Sequence, residues 1–177
     1  VPHDKIVPNI HDYMKISNQS HSAFAVCILS HGLNEVVYGS DSIPLQVTKI
    51  KTTLCSCNKF LFCKPKLLII QACRGDDMMR SLFTKDIRTD APIVISPEPA
   101  DLLVFWATVA NYVSYRDINK GSWFIETLCE CLTEYGDRIH LSDLFTKVNN
   151  KLSEKKVQIS QFETTWRKTL QLKKLCD

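Results

Sequence analysis

Three short apolar runs constrain what this chain can fold into: Phe24–Leu29, Leu67–Ile70 and Leu102–Val109. Each has the length of a strand and is nearly continuous rather than alternating. That pattern suits strands covered on both faces, as in a parallel sheet between helical layers. Stretches before, between and after them have helical spacing. Ile6, Val7, Ile10, Tyr13 and Met14 share one face within residues 1–20, with Pro8 tolerable only near the start of such a helix. Leu45, Ile50 and Leu54 repeat the pattern. Phe124, Leu128, Cys131 and Leu132 predict an amphipathic helix over 121–135, which Gly136 is placed to end. Ser142 is positioned to cap a helix bearing Leu144, Phe145, Val148 and Leu152. A short strand over 35–38 precedes the turn Gly39-Ser40-Asp41, and alternation over 165–172 predicts a last strand. The expected architecture is an α/β sandwich with a mostly parallel central sheet flanked by helices.

With 177 residues and 45% hydrophobic content the chain can bury one core, so a single domain over 1–177 is expected. Residues 76–99 lack periodicity and hold Pro92, Pro97 and Pro99, which marks a linker between a 1–90 part and a 91–177 part. A net charge of +3 without a long basic run argues against nucleic acid. The apolar runs are far too short to span a membrane, and no signal peptide is visible. The first residue is Val1, which reads as a processed or trimmed product. The chain has only five glycines and no glycine-rich phosphate loop, so no cofactor is expected. Several of the eight cysteines fall within apolar runs, as small hydrophobes do. Cys55-Ser56-Cys57 with Cys63 has the wrong spacing for a zinc site and no nearby histidine, so no metal is expected. A reducing, cytoplasmic setting fits this cysteine usage.

The chemistry lies at the ends of two of the apolar runs. Leu67–Ile70 leads into Gln71-Ala72-Cys73-Arg74-Gly75, and Phe24–Leu29 leads into Ser30-His31-Gly32. A thiol at the rim of a sheet, beside an arginine, is reachable and tunable. An imidazole at the end of a second strand supplies the general acid/base that a thiol nucleophile needs. Gly32 leaves room for a substrate's backbone, and the Gly32 and Cys73 N–H groups make a plausible oxyanion hole. A nucleophilic serine elbow, G-x-S-x-G, is absent. His3, His11, His21 and His140 sit in polar or helical surroundings that suit solvated surface histidines.

The pentapeptide around Cys73, with His31 upstream, resembles the signature of the caspases. Further stretches are similar to that family: Ala100-Asp101-Leu102-Leu103, Asn111-Tyr112-Val113-Ser114-Tyr115-Arg116 and Gly121-Ser122-Trp123-Phe124-Ile125. Ala107-Thr108-Val109 and Val113–Arg116 have the flavour of its apical, initiator members. The resemblance implies the caspase three-layer sandwich, with a large-subunit part before the linker and a small-subunit part after it. It also implies an aspartate-directed cysteine endopeptidase of programmed cell death or inflammatory signalling. Its nucleophile would be Cys73, its general acid/base His31, and its oxyanion donors Gly32 and Cys73.

By the same resemblance, Gln71 and Arg116 grip the substrate aspartate. Ser114 and Arg116 pair with the substrate main chain, Val113 and Tyr115 wall the second pocket, and Trp123 walls the fourth. Asp117 stands where the family often has a neutral residue and is expected to repel an acidic group four positions before the cut. Maturation would cut after Asp90, followed by the small Ala91, or after Asp86. The last strand would pair two chains into a homodimer, or one chain with another caspase. Substrates would be proteins or peptides with aspartate before the cut, and adaptor proteins could be engaged through a preceding region. The family carries a second specificity arginine early in its large subunit, yet no arginine precedes Arg74 here. The alternative expectation is therefore a weak, caspase-like pseudoenzyme that dimerises with an active caspase and regulates it.

Overall fold

The computed structural model describes residues 1–56, 59–75, 100–117, 121–154 and 158–173. The order of elements is α1 (His3–Lys15), β1 (Phe24–Leu29), β2 (Gly32–Leu33), β3 (Val36–Tyr38), β4 (Pro44–Gln46), α2 (Val47–Cys55) and β5 (Lys66–Gln71). It continues with β6 (Leu102–Trp106), β7 (Arg116–Asp117), β8 (Gly121–Ser122), α3 (Trp123–Tyr135), α4 (Leu141–Glu154) and β9 (Gln161–Thr164). The central sheet runs β1-β5-β6-β9. Its first three strands are parallel, and β9 is antiparallel to β6. The mostly parallel sandwich expected from the sequence is what forms.

Two cores lie on opposite faces of this sheet. Leu68, Ile70, Val104 and Trp106 point to the face carrying Met14 of α1 with Ile50 and Leu54 of α2. Leu67, Leu103 and Phe105 point to the other face, against Phe124 and Leu128 of α3 and Leu144 and Phe145 of α4. Phe105 is the hub of that second core, with ring centroids 4.8 Å from Phe124 and 4.3 Å from Phe145.

Strands β5 and β6 are covered on both faces, as their continuous apolar runs predict. β1 is not, which corrects the expectation for that run. Phe24, Val26 and Ile28 pack into the α1/α2 core, while Ala25, Cys27 and Leu29 are exposed, Leu29 by 61%. The reason is positional: among the described residues β1 is the edge strand, and the second core takes its sheet residues from β5, β6 and β9. β6 ends at Trp106 rather than Val109. The Ala107 N–H makes a last ladder bond to the Ile70 carbonyl at 2.9 Å, and the Gln158 side chain takes the Ala107 carbonyl at 2.7 Å.

Three boundaries also differ. Ser142 lies inside the first turn of α4, not at its cap, because the helix begins at Leu141. Gly136 does follow α3, but in right-handed helical geometry at φ −58°, so it ends the helix without a left-handed turn. The final strand is Gln161–Thr164, four residues earlier than the alternation over 165–172 suggests. Thr165 still exchanges main-chain bonds with the Leu102 segment. Arg167 then pairs with the buried Asp101 carboxylate at 2.5 Å, which turns the chain off the sheet and holds that carboxyl below its usual range.

Candidate active site

The parallel pairing of β1 with β5 places the two chemical segments side by side. Leu29 is in register with Gln71, and the Ser30 N–H donates to the Gln71 carbonyl at 3.0 Å. His31 and Cys73 each lie two residues beyond that last pair, just past the carboxyl ends of β1 and β5. The side chain of His31 is exposed; among the described residues it is tied only through its carbonyl, which accepts from the Tyr38 N–H at 2.9 Å.

Gly32 explains how closely the segments approach. A Cβ there would stand 2.8 Å from the Cys73 carbonyl oxygen, 2.8 Å from the Ala72 Cβ and 2.8 Å from the Val36 carbonyl. Only glycine lets the β2–β3 ribbon rest against the cysteine loop. The sequence suggests that Gly32 makes room for substrate; the structure gives it this further, internal reason. Gly75 works the same way on the other side, where a Cβ would meet the Asn111 backbone at 2.2 Å. Asn111 holds a left-handed φ of 72° there. Around that contact, the Arg74 N–H donates to the Tyr112 carbonyl and the Asn111 N–H donates to the Arg74 carbonyl, each at 3.0 Å.

Cys73 is half-buried and faces the main chain of Ser114. The Ser114 N–H donates to Sγ at 3.4 Å, and the Ser114 carbonyl lies 3.9 Å from the same sulfur. Gln71 is held at both ends of its carboxamide. Its Nε2 donates to Ser114 Oγ at 2.7 Å, and its Oε1 accepts from Ser122 Oγ at 2.5 Å. Val113 is half-buried in the same segment. Tyr115 stacks on Trp123 with centroids 5.5 Å apart. Trp123 is therefore both a partial member of the second core and one wall of this region. Arg116 is exposed and pairs with Ser122 in the small β7–β8 ladder, in which Asp117 faces Gly121. Asp86 and Asp90, like the rest of the expected linker over 76–99, lie outside the described residues.

Arg74 does not supply a free charge beside the thiol, as the sequence suggests. Its guanidinium is buried, ion-paired with Glu35, hydrogen-bonded to Gln161 at 2.8 Å and stacked over the Trp106 ring at 4.3 Å. The run of polar atoms that frames the region also includes residues the sequence reading passes over. Gln158 is 1% exposed. It accepts from the Tyr115 N–H at 2.9 Å and donates to the Ala107 carbonyl, so it joins both ends of the 107–115 segment. Ser122 caps α3 by accepting from the Ile125 N–H while it donates to Gln71. A serine just before an amphipathic helix is a signal that could have identified Ser122; a single glutamine in a polar stretch gives none for Gln158.

Among the described residues all six cysteines, Cys27, Cys55, Cys63, Cys73, Cys129 and Cys131, are free thiols. Burial pushes the Cys131 thiol above its ordinary value; Cys27, exposed as a residue, is raised by the partial desolvation of its sulfur and then by the neighbouring Cys129. No described helix is long and apolar enough to cross a membrane.

The chain is thus an α/β protein whose parallel strands β1 and β5 lead, just past their carboxyl ends, into the segments that hold His31 and Cys73. The chain matches the family described as "Caspase domain" over residues 3–171. It is 38% identical to Caspase-8 of Drosophila melanogaster over 134 residues, which covers 76% of this chain and 27% of that protein. It is 33% identical to Caspase-3 of Oryctolagus cuniculus over 153 residues, 85% of this chain and 54% of the relative. With Caspase-7 of Gallus gallus the identity is 37% over 141 residues, 75% of this chain and 45% of the relative. The chain belongs to the caspase family, and it spans between about a quarter and about a half of the length of these relatives.

Proposed function

We propose that the chain is the catalytic part of an aspartate-directed cysteine endopeptidase acting in cell death or inflammatory signalling. The observation that carries this reading is that β1 and β5 end in register two residues before His31 and Cys73, with Gly32 seated against the Cys73 carbonyl. The Cys73 sulfur attacks the carbonyl carbon of the scissile peptide while the Gly32 and Cys73 N–H groups receive the developing oxyanion. His31 gives a proton to the leaving amine as the C–N bond breaks, which leaves a thioester. Water, activated by the same imidazole, then hydrolyses the thioester and restores the thiol.

Arg116 and Gln71 read the aspartate carboxylate, and Ser114 and Arg116 pair with the substrate main chain as an added strand. Substrate binding has to displace the contact between Ser114 and the Cys73 sulfur. Val113 and Tyr115 bound the second pocket and Trp123 the fourth, where Asp117 disfavours acidic residues. Maturation falls in the linker, at Asp90 or Asp86. The large-subunit part is 1–90 and the small-subunit part 91–177, and two chains join across the free edge of β9 in the cytoplasm. The test is cleavage of matched peptides with Asp or Asn before the scissile bond. Preference for Asp by ten-fold or more, lost in Arg116→Ala, is expected, since a charge-assisted hydrogen bond contributes about 1.5–3 kcal/mol. Equal cleavage of both peptides, or of neither, would contradict it.

A second reading has its own support. The Gln71 carboxamide is engaged at both ends and Ser114 occupies the sulfur, which suits a regulatory partner that dimerises with an active caspase. Cleavage by the chain alone separates the two readings.

A further inference from the structure

We propose that Glu35 is a positioning residue for the Cys73–His31 pair and acts through Arg74; the proposal rests on the peptidase reading above. Glu35 lies four residues beyond His31, in the turn of the β2–β3 ribbon, next to Asn34 with its left-handed φ of 52°. Arg74 directly follows Cys73. The Arg74 guanidinium has 8% of its side-chain surface exposed, and Glu35 is its ion-pair partner among the described residues. It also meets the Trp106 ring and the Gln161 carboxamide, and among the described residues its Nε finds no hydrogen-bond acceptor. A buried guanidinium needs its counter-charge, so the pair holds the histidine ribbon to the cysteine loop.

Both partners are themselves anchored. The Glu35 carbonyl accepts from the Val47 N–H at 2.8 Å, which fixes the turn to the start of α2. The main chain of Arg74 is bonded on both sides to Asn111 and Tyr112. The ion pair therefore joins two rigid attachments and sets how far the imidazole stands from the sulfur. Of the residues assigned to substrate, Ser114 and Arg116 are on another segment, and Gln71 is held at its carboxamide by Ser114 and Ser122 rather than by Arg74. Removing the Glu35 charge should slow the chemical step and leave substrate affinity in place, since a displacement of about 1 Å in a reacting group is worth on the order of 100-fold.

The test uses the full chain as wild type, Glu35→Ala, Glu35→Gln, Arg74→Met and the Glu35→Ala/Arg74→Met double variant. It measures kcat and KM on an Asp-containing peptide, together with the pH dependence of Cys73 alkylation by iodoacetamide. Glu35→Ala is expected to lower kcat by about 10–100-fold with KM within about two-fold. Its Cys73 should also be alkylated several-fold more slowly across the pH range, as the imidazole stands farther from the sulfur. The double variant should be no worse than Arg74→Met alone. Glu35→Gln, which keeps the shape and loses the charge, should show the same changes in smaller size. Wild-type kcat and alkylation profile in Glu35→Gln, with only a lower melting temperature, overturn the proposal and leave the peptidase reading standing. No cleavage, and Cys73 alkylation no faster than that of the exposed cysteines in the wild-type chain, overturn both.

Discussion

Cys73 leaves the sheet into a loop fixed on both flanks, by Gln71 with Ser114 and Ser122 before it and by Arg74–Gly75 against Asn111–Tyr112 after it. His31 leaves the neighbouring strand into a ribbon that shares one main-chain bond with the cysteine strand, the glycine contact and one ion pair. β5 is interior and β1 is the edge, so the same difference runs through the sheet below them. The cysteine is built into the core frame, whereas the histidine is placed by a few contacts at the margin. Two strand ends with equal roles in the proposed chemistry thus rest on unequal support.

The largest effects should come from the reacting groups. Cys73→Ala is expected to remove at least about 10⁴-fold of the activity, and His31→Ala about 10²–10⁴-fold. Both should keep the wild-type far-UV circular dichroism. If either variant instead unfolds the chain, that residue's place in the comparison is structural. Gly32→Ala comes next. Its Cβ would meet two carbonyl oxygens at 2.8 Å, so the ribbon has to lift from the cysteine loop. A loss of about 1–3 kcal/mol in urea-melt stability is expected, with a disproportionate loss of peptide cleavage. Unchanged turnover in that variant would show that the contact does not set the position of the histidine.

A smaller contrast tests the sheet itself. Leu103→Ala, in a fully buried position, should destabilise by about 2–5 kcal/mol. Leu29→Ser on the open face of β1 should stay within about 0.5 kcal/mol. Equal losses in the two would mean that the outer face of β1 is covered in solution.

The smallest effect concerns the entry to α1, where Pro2 offers no side-chain cap. Asp41 takes that role from across the fold: its carboxylate accepts from the His3 N–H at 3.1 Å and pairs with His3 Nδ1 at 2.7 Å. The bond from the His3 side chain, first among the causes, lowers the Asp41 carboxyl to about 2. A depressed carboxyl stabilises above its unfolded value, near 3.9, and that contribution disappears as pH falls through about 2. Asp41→Asn should therefore melt below wild type at pH 5, with the gap closing between about pH 4 and pH 2. A gap that is constant across this range would remove the charge from the explanation.

Much of this was legible in the residues. Continuous apolar runs revealed β5 and β6, and 3.6-residue spacing revealed α2 and α3, because burial there is decided by each element's own face. The run at β1 misled because continuity reports potential for burial, while exposure depends on whether α3 and α4 reach the sheet edge. β9 was misplaced for a related reason: only Phe162 of Gln161–Thr164 enters the core, so an edge strand of polar residues left no apolar signature. In the candidate site, Cys73, His31 and Gly32 carry local motifs. Arg74 was assigned the wrong task because its partners Glu35, Gln161 and Trp106 are distant in sequence, and nothing in a pentapeptide records where a guanidinium turns. Gln158 was invisible for the same reason.

The central claim is that Cys73, alone among the described thiols, sits where a substrate carbonyl and an imidazole meet. Mass spectrometry of the chain after brief exposure to a peptide ending in an aspartyl chloromethylketone tests it directly, because Cys27, Cys63 and Cys129 are exposed and serve as internal controls. A single adduct on Cys73, lost in His31→Ala, is the predicted result. Adducts spread over the exposed cysteines, or an unmodified Cys73, would contradict it.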